Sequence, residues 1–466
     1  MNNGLKLVAP KIIPPLDPGF RPAVLANRNF LIGARATRAA VPIRLGLEQP
    51  DGSVFHFRSE IFPEAHPGAT GNFIYLERLL KFLLWSRGGF RIYFSGPEKI
   101  GRQLQNHYVT STTGKFDARL IARSVYERDL ELVLTNEIPP QRANTTPLGR
   151  HLEGCRIGFD LGASDRKAAA VIDGKVVFSD EVIWNPVTQT DPQWHFDQIM
   201  DSLRSAAKHL PRVDAIGGSA AGAYVKNRVM VASLFRSVPP DRFEARVRNL
   251  FLEIKRAWGD VPFEIVNDGE VTALAGSLAM GKNAVLGIAM GSSQAGGYVT
   301  PDGNITSWLN ELAFVPVDYN PNAAVDEWSG DYGCGAQYFS QQAVGKLLLA
   351  AEIPIDAAMP LPEKLKEVQK LMEQGDARAT KIYETIGIYL GYAVAHYADF
   401  YDFENILVLG RVMTGRGGDV ILAEAKKVLP LEFPELATRI GFHIPDEKEK
   451  RHGQAIAAAS LPRILT

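Results

Sequence analysis

The chain of 466 residues has little cysteine, with only Cys155 and Cys334. Two thiols are too few for a disulfide framework or a four-thiolate metal site, and a reducing, cytoplasmic compartment fits this composition best. No run of about 18 apolar residues occurs, and the N-terminus lacks the uninterrupted apolar stretch of a secretion signal. Secretion and membrane spanning are therefore disfavoured, and we expect no membrane partner.

An overall excess of charge is also absent. The formal net charge is −1 and 46% of the residues are hydrophobic, which is ordinary for a globular protein. Residues 1–150 are nevertheless basic, with 20 Lys and Arg against 12 Asp and Glu. Such a segment can mark a nucleic-acid-binding module, but its strongest helical pattern, near residues 73–85, is apolar on most sides and suits burial better than a DNA groove. We therefore expect no nucleic-acid partner.

The first 150 residues predict an α+β extension. A proline-rich stretch is followed by two strands around a Pro-Asp-Gly turn, an apolar helix, a short strand and a helix opened by Gly-Pro-Glu. The polar, proline-interrupted stretch "NEIPPQRANTTPLGRHLEG" then indicates a linker, with a domain boundary near residue 150. The sequence pattern does not determine the role of this extension. It could be an α/β module packed on the rest of the chain, a dimerisation arm, or a lid over a binding site.

Beyond the linker, the same supersecondary pattern occurs twice. "CRIGFDLG", "KAAAVID" and "KVVFSDEVIW" predict three strands with tight turns, followed by a helix from about Asp191 to Leu210 and a returning strand. "AVLGIAMGSSQAGGYVTPDGNI" repeats the scheme of strand, Gly/Ser turn and strand. This duplication predicts an α/β protein with a two-lobed actin-like ATPase (ribonuclease H-like) fold, with lobes at 151–268 and 269–452 and a C-terminal helix, 453–466, that completes the first lobe.

The turn after the first strand carries more polar groups than a turn requires. A tight turn between two buried strands explains the glycine at Gly162. It does not explain why Asp160, Ser164 and Lys167 occur together beside this turn. Phosphate handling explains all of them: the N–H groups of Gly162 and Ala163 and the Ser164 hydroxyl would hold phosphate oxygens, Asp160 would hold Mg²⁺ through water, and Lys167 or Arg166 would offset charge. A plain turn is the alternative.

Two further glycine-rich turns fit the same interpretation. The second-lobe turn that begins at Gly291 and Ser292 offers exposed N–H groups, although a glycine hairpin would have the same sequence. The stretch "ENILVLGRVMTGRGGDV", with Gly410 and Gly415, leaves room for adenine against the backbone, or is an ordinary strand-to-helix loop. "GSLAMGKN" nearly matches a phosphate-binding P-loop, but Gly281 is better explained as a helix C-cap.

A carboxylate lies between these turns, where the apolar strand "FEIV" ends and a helix begins. Asn267 and Asp268 occupy this junction. Phosphoryl transfer needs a group that accepts the proton of the attacking hydroxyl, and Asp268 could be aimed into a cleft from this position. Helix capping by either residue is the alternative, and both roles can hold at once.

In this order, the motifs from about Gly154 to Thr466 resemble those of the ROK family of bacterial sugar kinases and repressors. The stretches that carry the resemblance are "GFDLGASDRKAAAVID", "AIGGSAAGAYV", "VNDGEVTALAG", "GSSQAGGYVTPDG", "NELAFVPVD", "IYLGYAVAHYADFYDFENILVLGRV" and "GQAIAAAS". Each match is loose, whereas their fixed order over roughly 310 residues is specific.

The resemblance implies a site and a reaction. It implies ATP-dependent phosphorylation of a sugar hydroxyl with Asp268 as general base, in a homodimer that uses ATP and Mg²⁺. The implied sugar contacts are Asn267, Glu311, Gly218, Ser219 and Gln337. The implied nucleotide and phosphate contacts are Asp160, Gly162, Ser164, Lys167, Gly291, Ser292, Gly410 and Gly415.

The sequence also departs from the family pattern. The metal-binding and sugar-contacting histidine of the family is Phe314 here, only Cys334 remains of its cysteine cluster, and the glutamate that follows the cluster is replaced by Ala336. We therefore expect no structural zinc and an acceptor other than plain glucose. The alternatives are a sugar-responsive regulator, a non-catalytic sugar-binding protein, an acyl or acetate kinase, and an ATPase that uses no sugar.

Overall fold

A computed structural model of the protein describes residues 4–143, 148–444 and 447–464. Residues 144–147 of the predicted linker and residues 465–466 of the predicted C-terminal helix lie outside the described residues. The remainder has an α/β architecture with three larger sheets: one in the N-terminal segment and one in each predicted lobe.

The N-terminal segment contains a four-stranded mixed sheet with helices beside it. Its elements are α1 (Ala23–Ala36), β1 (Val41–Glu48), β2 (Val54–Ile61), α2 (Asn72–Arg87), β3 (Arg91–Ser95), α3 (Glu98–Thr110), α4 (Thr112–Asp117) and β4 (Glu131–Leu134). The strand order is β2-β1-β3-β4, with β3 and β4 parallel and the other pairs antiparallel. The predicted Pro-Asp-Gly turn joins β1 to β2.

The first lobe is built on a five-stranded sheet. Its elements are β5 (Cys155–Leu161), β6 (Asp165–Ile172), β7 (Lys175–Ile183), α5 (Pro192–Ala207), β8 (Ala215–Ala220), β9 (Ala223–Val225), β10 (Arg228–Val231), α6 (Pro240–Arg242), α7 (Leu250–Ala257) and β11 (Phe263–Asn267). The sheet order is β11-β8-β5-β6-β7, and β9 and β10 form a separate hairpin. The side chain of Asp191 accepts the Gln193 N–H and caps α5, as the sequence predicted.

The second lobe has a four-stranded sheet and a layer of long helices. Its elements are α8 (Asp268–Met280), β12 (Val285–Met290), β13 (Gln294–Val299), α9 (Gln341–Leu347), α10 (Leu361–Glu373), α11 (Ala377–Ala398), β14 (Asn405–Leu409), α12 (Arg416–Glu432), α13 (Pro434–Ala437) and β15 (Gly441–His443). The order β13-β12-β14-β15 repeats β6-β5-β8-β11 of the first lobe, with the same parallel and antiparallel pairs. The predicted duplication is therefore present.

The C-terminal helix α14 packs on the sheet of the first lobe, although it begins at Glu447 and ends at Ala459, earlier than the predicted range. A Cβ atom at Gly158 or Gly217 would overlap carbonyl oxygens of this helix, so the close approach requires glycine at both positions. On its other side α14 packs against α8, which lies on the second sheet. The two helices therefore join the lobes.

The N-terminal segment and the second lobe share one hydrophobic core. Phe30, Leu80 and Phe82 of the segment belong to the same buried cluster as Tyr389 and Val408 of the second lobe. Ring contacts such as Phe82 with Phe400, at 3.9 Å between centroids, cross the boundary. Because burial of apolar surface drives folding, the segment and this lobe stabilise each other.

Helix α2 is buried on all sides, including its charged residues. Arg78 pairs with Glu77 and with Asp331 of the second lobe, and Lys81 pairs with Asp331 at 3.2 Å and with Asp117 at 2.9 Å. Each of these side chains is less than 5% exposed. Buried charges are tolerated when they are paired, and this network ties α2 to both α4 and the second lobe.

Within the described part of the chain, no helix combines the length and the hydropathy that a membrane-spanning segment needs.

Candidate active site

Asp160 lies near the end of β5, directly opposite Ser219 on the parallel strand β8. The hydroxyl of Ser219, which is fully buried, donates to Oδ1 of Asp160 at 2.7 Å. Burial raises the pKa of Asp160, and the Ser219 hydrogen bond and the charge of Lys167 oppose this effect. Burial acts to lower the pKa of Lys167, but the carboxylates of Asp160 and Asp165 together have the larger effect and raise it above its ordinary value. Lys167 therefore keeps its positive charge.

The first turn uses part of its polar groups internally. The Gly162 N–H donates to the carbonyl of Asp165 at 2.9 Å, the Ser164 hydroxyl donates to the Asp165 carboxylate at 2.8 Å, and Lys167 pairs with Asp165 at 3.2 Å. Within the residues that the structure describes, the N–H groups of Ala163 and Ser164 have no protein acceptor. These two amides, rather than that of Gly162, are available to an anion.

The second turn has the same construction. The Gly291 N–H donates to the carbonyl of Ser293 at 3.0 Å, and the N–H groups of Ser292 and Ser293 have no acceptor in the described part of the chain. Gly410 follows the adjacent strand β14 with φ +105°, and a Cβ there would overlap the Met290 backbone. The turn and Gly410 therefore meet at one edge of the second sheet. Gly415, with φ +71°, is the N-cap residue of α12.

Asn267 caps helix α8, and Asp268 is the first residue of that helix. The side-chain oxygen of Asn267 accepts the Gly269 N–H at 2.8 Å, and its amide donates to the Gly222 carbonyl at 2.8 Å. Capping by Asn267, the alternative weighed for this junction, therefore holds, and it fixes the backbone of Asp268. Burial and then the charge of Asp160 raise the pKa of Asp268 to about 6.

Two further carboxyls lie close to Asp268. Burial and the charge of Asp268 raise the pKa of Glu311 to about 7. Glu270 is 5% exposed, and burial raises its pKa to about 8, although it accepts hydrogen bonds from Asn310 Nδ2 and from the Tyr298 N–H. Asp268 thus interacts electrostatically with both Asp160 and Glu311.

A cavity of about 400 Å³ opens between the two lobes and the N-terminal segment. It is lined by Asn267, Glu270 and Glu311, and also by Tyr224 of the β9–β10 hairpin and Tyr126 of the N-terminal segment. A concave pocket with mostly apolar walls and a few polar groups is typical of a small-molecule site. The cavity therefore adjoins the carboxyls that surround Asp268.

Three of the predicted sugar contacts have other surroundings. Ser219 is fully buried beneath Asp160, and Gly218 is covered by the ring of Phe159, which a Cβ would approach to 2.1 Å. Gln337 donates to the side chain of Gln342 and does not line the cavity. The structure thus gives Ser219 a supporting role and does not bring Gly218 to the cavity surface, because β8 is a central strand covered on both faces. Gln337 is absent from the cavity lining for a different reason, since its side chain is paired with Gln342.

Sequence reasoning missed Glu270 and the cavity wall from the N-terminal segment. Glu270 is in the first turn of α8, where an acidic residue is common because it interacts favourably with the helix dipole. Its burial results from packing against Asn310 and Tyr298, 28 or more residues away. No local signal in the sequence indicates either feature.

The predicted absence of zinc concerned a different region, and the described residues contain no group of three or more His, Cys, Asp and Glu side chains placed to hold a metal ion.

No protein-family model matches the chain, and no curated protein matches it significantly. Solved structures do resemble it. A ROK hexokinase from Thermus thermophilus superposes with a TM-score of 0.52 and 18% identity, over 66% of this chain and 97% of that chain. A ROK-family transcriptional regulator, a homologue of the E. coli MLC protein, superposes with a TM-score of 0.53 and 19% identity, over 78% of this chain and 87% of that one. The chain therefore has the two-lobed actin-like fold of ROK sugar kinases and regulators.

Proposed function

We propose that the protein is a divergent member of the ROK family and an ATP-dependent sugar kinase. The observation that carries this proposal is the position of Asp268. Its carboxyl is close enough to interact electrostatically with Asp160, beside the glycine turn of the first lobe, and with Glu311, which lines the cavity. A carboxylate with a pKa near 6 is mostly ionised at neutral pH and is still basic enough to accept a proton, as a general base should.

In this proposal Asp268 accepts the proton of a sugar hydroxyl while the hydroxyl oxygen attacks the γ-phosphorus of ATP. The bond from the γ-phosphorus to the bridging oxygen breaks, and ADP leaves with that oxygen. The reaction needs positioning and charge stabilisation more than covalent chemistry. The half-buried carboxyl at the start of α8, whose backbone Asn267 fixes, provides a base that is preorganised for this proton transfer.

The two turns would stabilise the phosphate charge. Four amides that lack protein acceptors within the described residues, those of Ala163, Ser164, Ser292 and Ser293, are in the turns that follow the first strand of each lobe. Backbone N–H groups in such turns bind phosphate oxygens. Lys167, whose ammonium is retained by two carboxylates, adds a positive charge. Gly410 and Gly415 would leave space for the nucleotide base and ribose beside the second turn.

The surroundings of Asp160 fit a role in holding Mg²⁺. Its Oδ1 accepts one hydrogen bond from Ser219, which orients the carboxylate and leaves the other oxygen for a metal-bound water. Mg²⁺ prefers carboxylate oxygen and water ligands and would reduce the charge repulsion between phosphate and attacking oxygen. Asp160 alone, with the phosphates of ATP, would supply this site.

Glu311 and Asn267 would bind the acceptor. Asn267 keeps one amide hydrogen and one oxygen lone pair beyond its two internal hydrogen bonds. Glu311 lines the cavity, where its carboxyl can accept hydroxyl protons. Both side chains are held by backbone contacts, so they can orient a sugar without reorganising.

A sugar-responsive regulator is the second candidate, and one observation favours it. The superposition on the ROK regulator covers 78% of the chain. This is a larger share of the chain than residues 151–466 represent, so the superposition extends into the N-terminal segment. The superposition on the hexokinase covers 66%. Against this candidate, the N-terminal segment shares its core with the second lobe instead of forming a separate DNA-binding module.

The test is ADP release from Mg²⁺-ATP, coupled to a spectrophotometric assay, over a panel of hexoses, N-acetylhexosamines, sugar acids and disaccharides. We expect Asp268→Asn to reduce turnover by roughly 10²–10⁴-fold. Asp191→Asn is the matched control, because it makes the same chemical change at an exposed residue outside the site. Asparagine can still cap α5 by accepting the Gln193 N–H, so turnover should be unchanged. Sugars that raise the melting temperature of wild type and Asp268→Asn equally, without any ADP release, would instead support the regulator.

A further inference from the structure

The cavity beside Asp268 has a third wall, and the N-terminal segment supplies it. Besides the two lobes, the lining includes Gln49, Pro50 and Asp51 from the turn after β1, and Val125 and Tyr126 from the end of the π-helix Ala118–Val125 that continues α4. A site formed by the two lobes alone would be open on this side. The segment therefore determines how much of a bound molecule the cavity can enclose.

This wall is fixed in place. Gln49 is 7% exposed, and its amide donates to the Arg87 carbonyl at 2.6 Å. The hydroxyl of Tyr126 lies against the turn after α2, where a Cβ on Gly88, with φ +77°, would overlap it. A side chain held in this way loses little conformational entropy when a ligand binds, which favours affinity.

The same segment also supports the loop that carries Glu311. The N–H of Glu311 donates to the carbonyl of Trp85 at 3.0 Å, and the N–H of Asn310 donates to the carbonyl of Ser86 at 3.0 Å. The guanidinium of Arg87 lies 3.7 Å from the ring centroid of Trp308 in that loop. The end of α2 thus links the third wall to the residues near the reacting hydroxyl.

The N-terminal wall and the residues beside Asp268 line the same cavity. Asp51 and Tyr126 line it from the N-terminal segment, whereas Asn267 and Glu311 line it beside Asp268. A ligand that touches both sets of residues therefore spans the cavity. A volume of about 400 Å³ exceeds what a single hexose fills and lies in the range for drug-sized ligands.

The chemistry of this wall suits a sugar ring. Tyr126 and Tyr224 offer aromatic surface to the apolar C–H groups of a pyranose, and the carboxylates of Asp51 and Glu264 can accept hydrogen bonds from its hydroxyls. Of the residues described along this cavity, Lys226 is the one basic residue, and its side chain is exposed. Carboxylates in excess disfavour an anionic ligand.

Resting on the proposed kinase function, we propose that Pro50, Asp51 and Tyr126 form a second subsite, which binds an uncharged sugar ring attached to the ring that is phosphorylated. The acceptor is accordingly a disaccharide or a comparable glycoside, and the N-terminal segment determines the specificity.

The test compares kcat/KM for glucose with kcat/KM for maltose and cellobiose, measured by ADP release with the full-length protein. We expect at least one disaccharide to be favoured over glucose by roughly tenfold or more, and Tyr126→Ala to lower that ratio by about tenfold, mainly through KM. Asp51→Asn should lower the ratio in the same direction. Asparagine at this position can still accept the hydrogen bonds that the N–H and the hydroxyl of Ser53 donate to Asp51. Arg123→Ala, an exposed neighbour of Tyr126, is the control and should leave the ratio unchanged.

A higher kcat/KM for glucose than for both disaccharides, or equal losses for all three sugars in the variants, would overturn the subsite. If no sugar releases ADP, the kinase proposal fails and the subsite is tested by calorimetric binding of the same sugars. Disaccharide binding that is weakened in Tyr126→Ala, and not in Arg123→Ala, would then support the subsite. The absence of disaccharide binding to the wild-type protein would overturn it.

Discussion

The hydroxyl of Ser219 donates a hydrogen bond of 2.7 Å to Oδ1 of Asp160 across two adjacent parallel strands. Both side chains are buried, with Ser219 at 0% and Asp160 at 6% exposure. The bond therefore orients a carboxylate that is expensive to bury, and it leaves the second oxygen available. Through the charge of Asp160 the same pair influences Asp268.

Replacing this hydroxyl should affect metal use. We expect Ser219→Ala to raise the Mg²⁺ concentration for half-maximal activity severalfold and to cost about 1.5–3 kcal/mol of stability, because a hydrogen bond to a charged group is lost. Mg²⁺ titration of ADP release and thermal unfolding measure the two effects. Ser237→Ala, which removes a hydroxyl that donates to the Val187 carbonyl, is the control. An identical Mg²⁺ dependence in both variants and in wild type would contradict the role of Ser219.

The activity should depend on the ionisation of Asp268. Its pKa is raised to about 6, and a general base acts when it is deprotonated. We therefore expect kcat/KM to rise with pH through about 6 and then to level off, in a profile measured from pH 5 to 8.5. Glu311, with a pKa of about 7, could produce a similar rise. In Glu311→Gln we expect kcat/KM still to rise through about pH 6. If this rise is lost in the variant, it results from ionisation of Glu311 and not of Asp268.

Glu270 should make stability depend on pH. Burial raises its pKa to about 8 from an ordinary value of 4.5. Because the folded state binds the proton more tightly, this contribution to stability is complete below about pH 4.5 and is lost as the pH rises through 8. We expect the melting temperature of Glu270→Gln to fall less between pH 5 and pH 8.5 than that of wild type. Parallel pH dependences in the two proteins would show that Glu270 is not protonated in the folded state.

The ion pairs of the N-terminal segment should differ in energy according to burial. Asp117 accepts hydrogen bonds from Lys81 and Trp85, and all three side chains are buried. Asp117→Ala should cost about 3–5 kcal/mol, because it leaves buried donors without this partner. Glu127→Ala breaks a bidentate pair with Arg228 at the surface, where about 0.2–1 kcal/mol is expected. Urea denaturation midpoints measure both effects, and equal shifts would contradict this ranking.

Local sequence patterns predicted much of the fold. The Asp191 cap, the Pro-Asp-Gly turn and the αL glycine Gly281 at the end of α8 all follow from the conformations that those residues favour. Alternation of apolar residues predicted the strands, and the repeated scheme predicted two related lobes. The site prediction shares this local basis: Asp160, Asp268 and the two turns are at strand ends, and parallel strands of one sheet bring their carboxyl ends together.

The less successful predictions depended on which groups are already bonded. Gly162 and Gly291 were expected to offer their N–H groups, but each of these donates to a carbonyl within its own turn. Ser219 was expected to contact the sugar, but its hydroxyl is committed to Asp160. Hydrogen-bond partners that are distant in sequence, or on the far side of a turn, cannot be inferred from residue types.

The sequence by itself determined most of the longer strands, several turns, the duplication and the carboxylate at the junction of β11 and α8, because these depend on short-range conformational preference and apolar periodicity. Only the tertiary structure decided that α2 is buried against the second lobe, that Glu270 and Glu311 lie in low-dielectric surroundings, and that Asp51 and Tyr126 close the cavity. Desolvation and cavity shape arise from contacts between segments that are far apart in sequence, by 28 residues for Glu270 and Tyr298 and by far more for the N-terminal wall. No local pattern indicates which of these segments will meet.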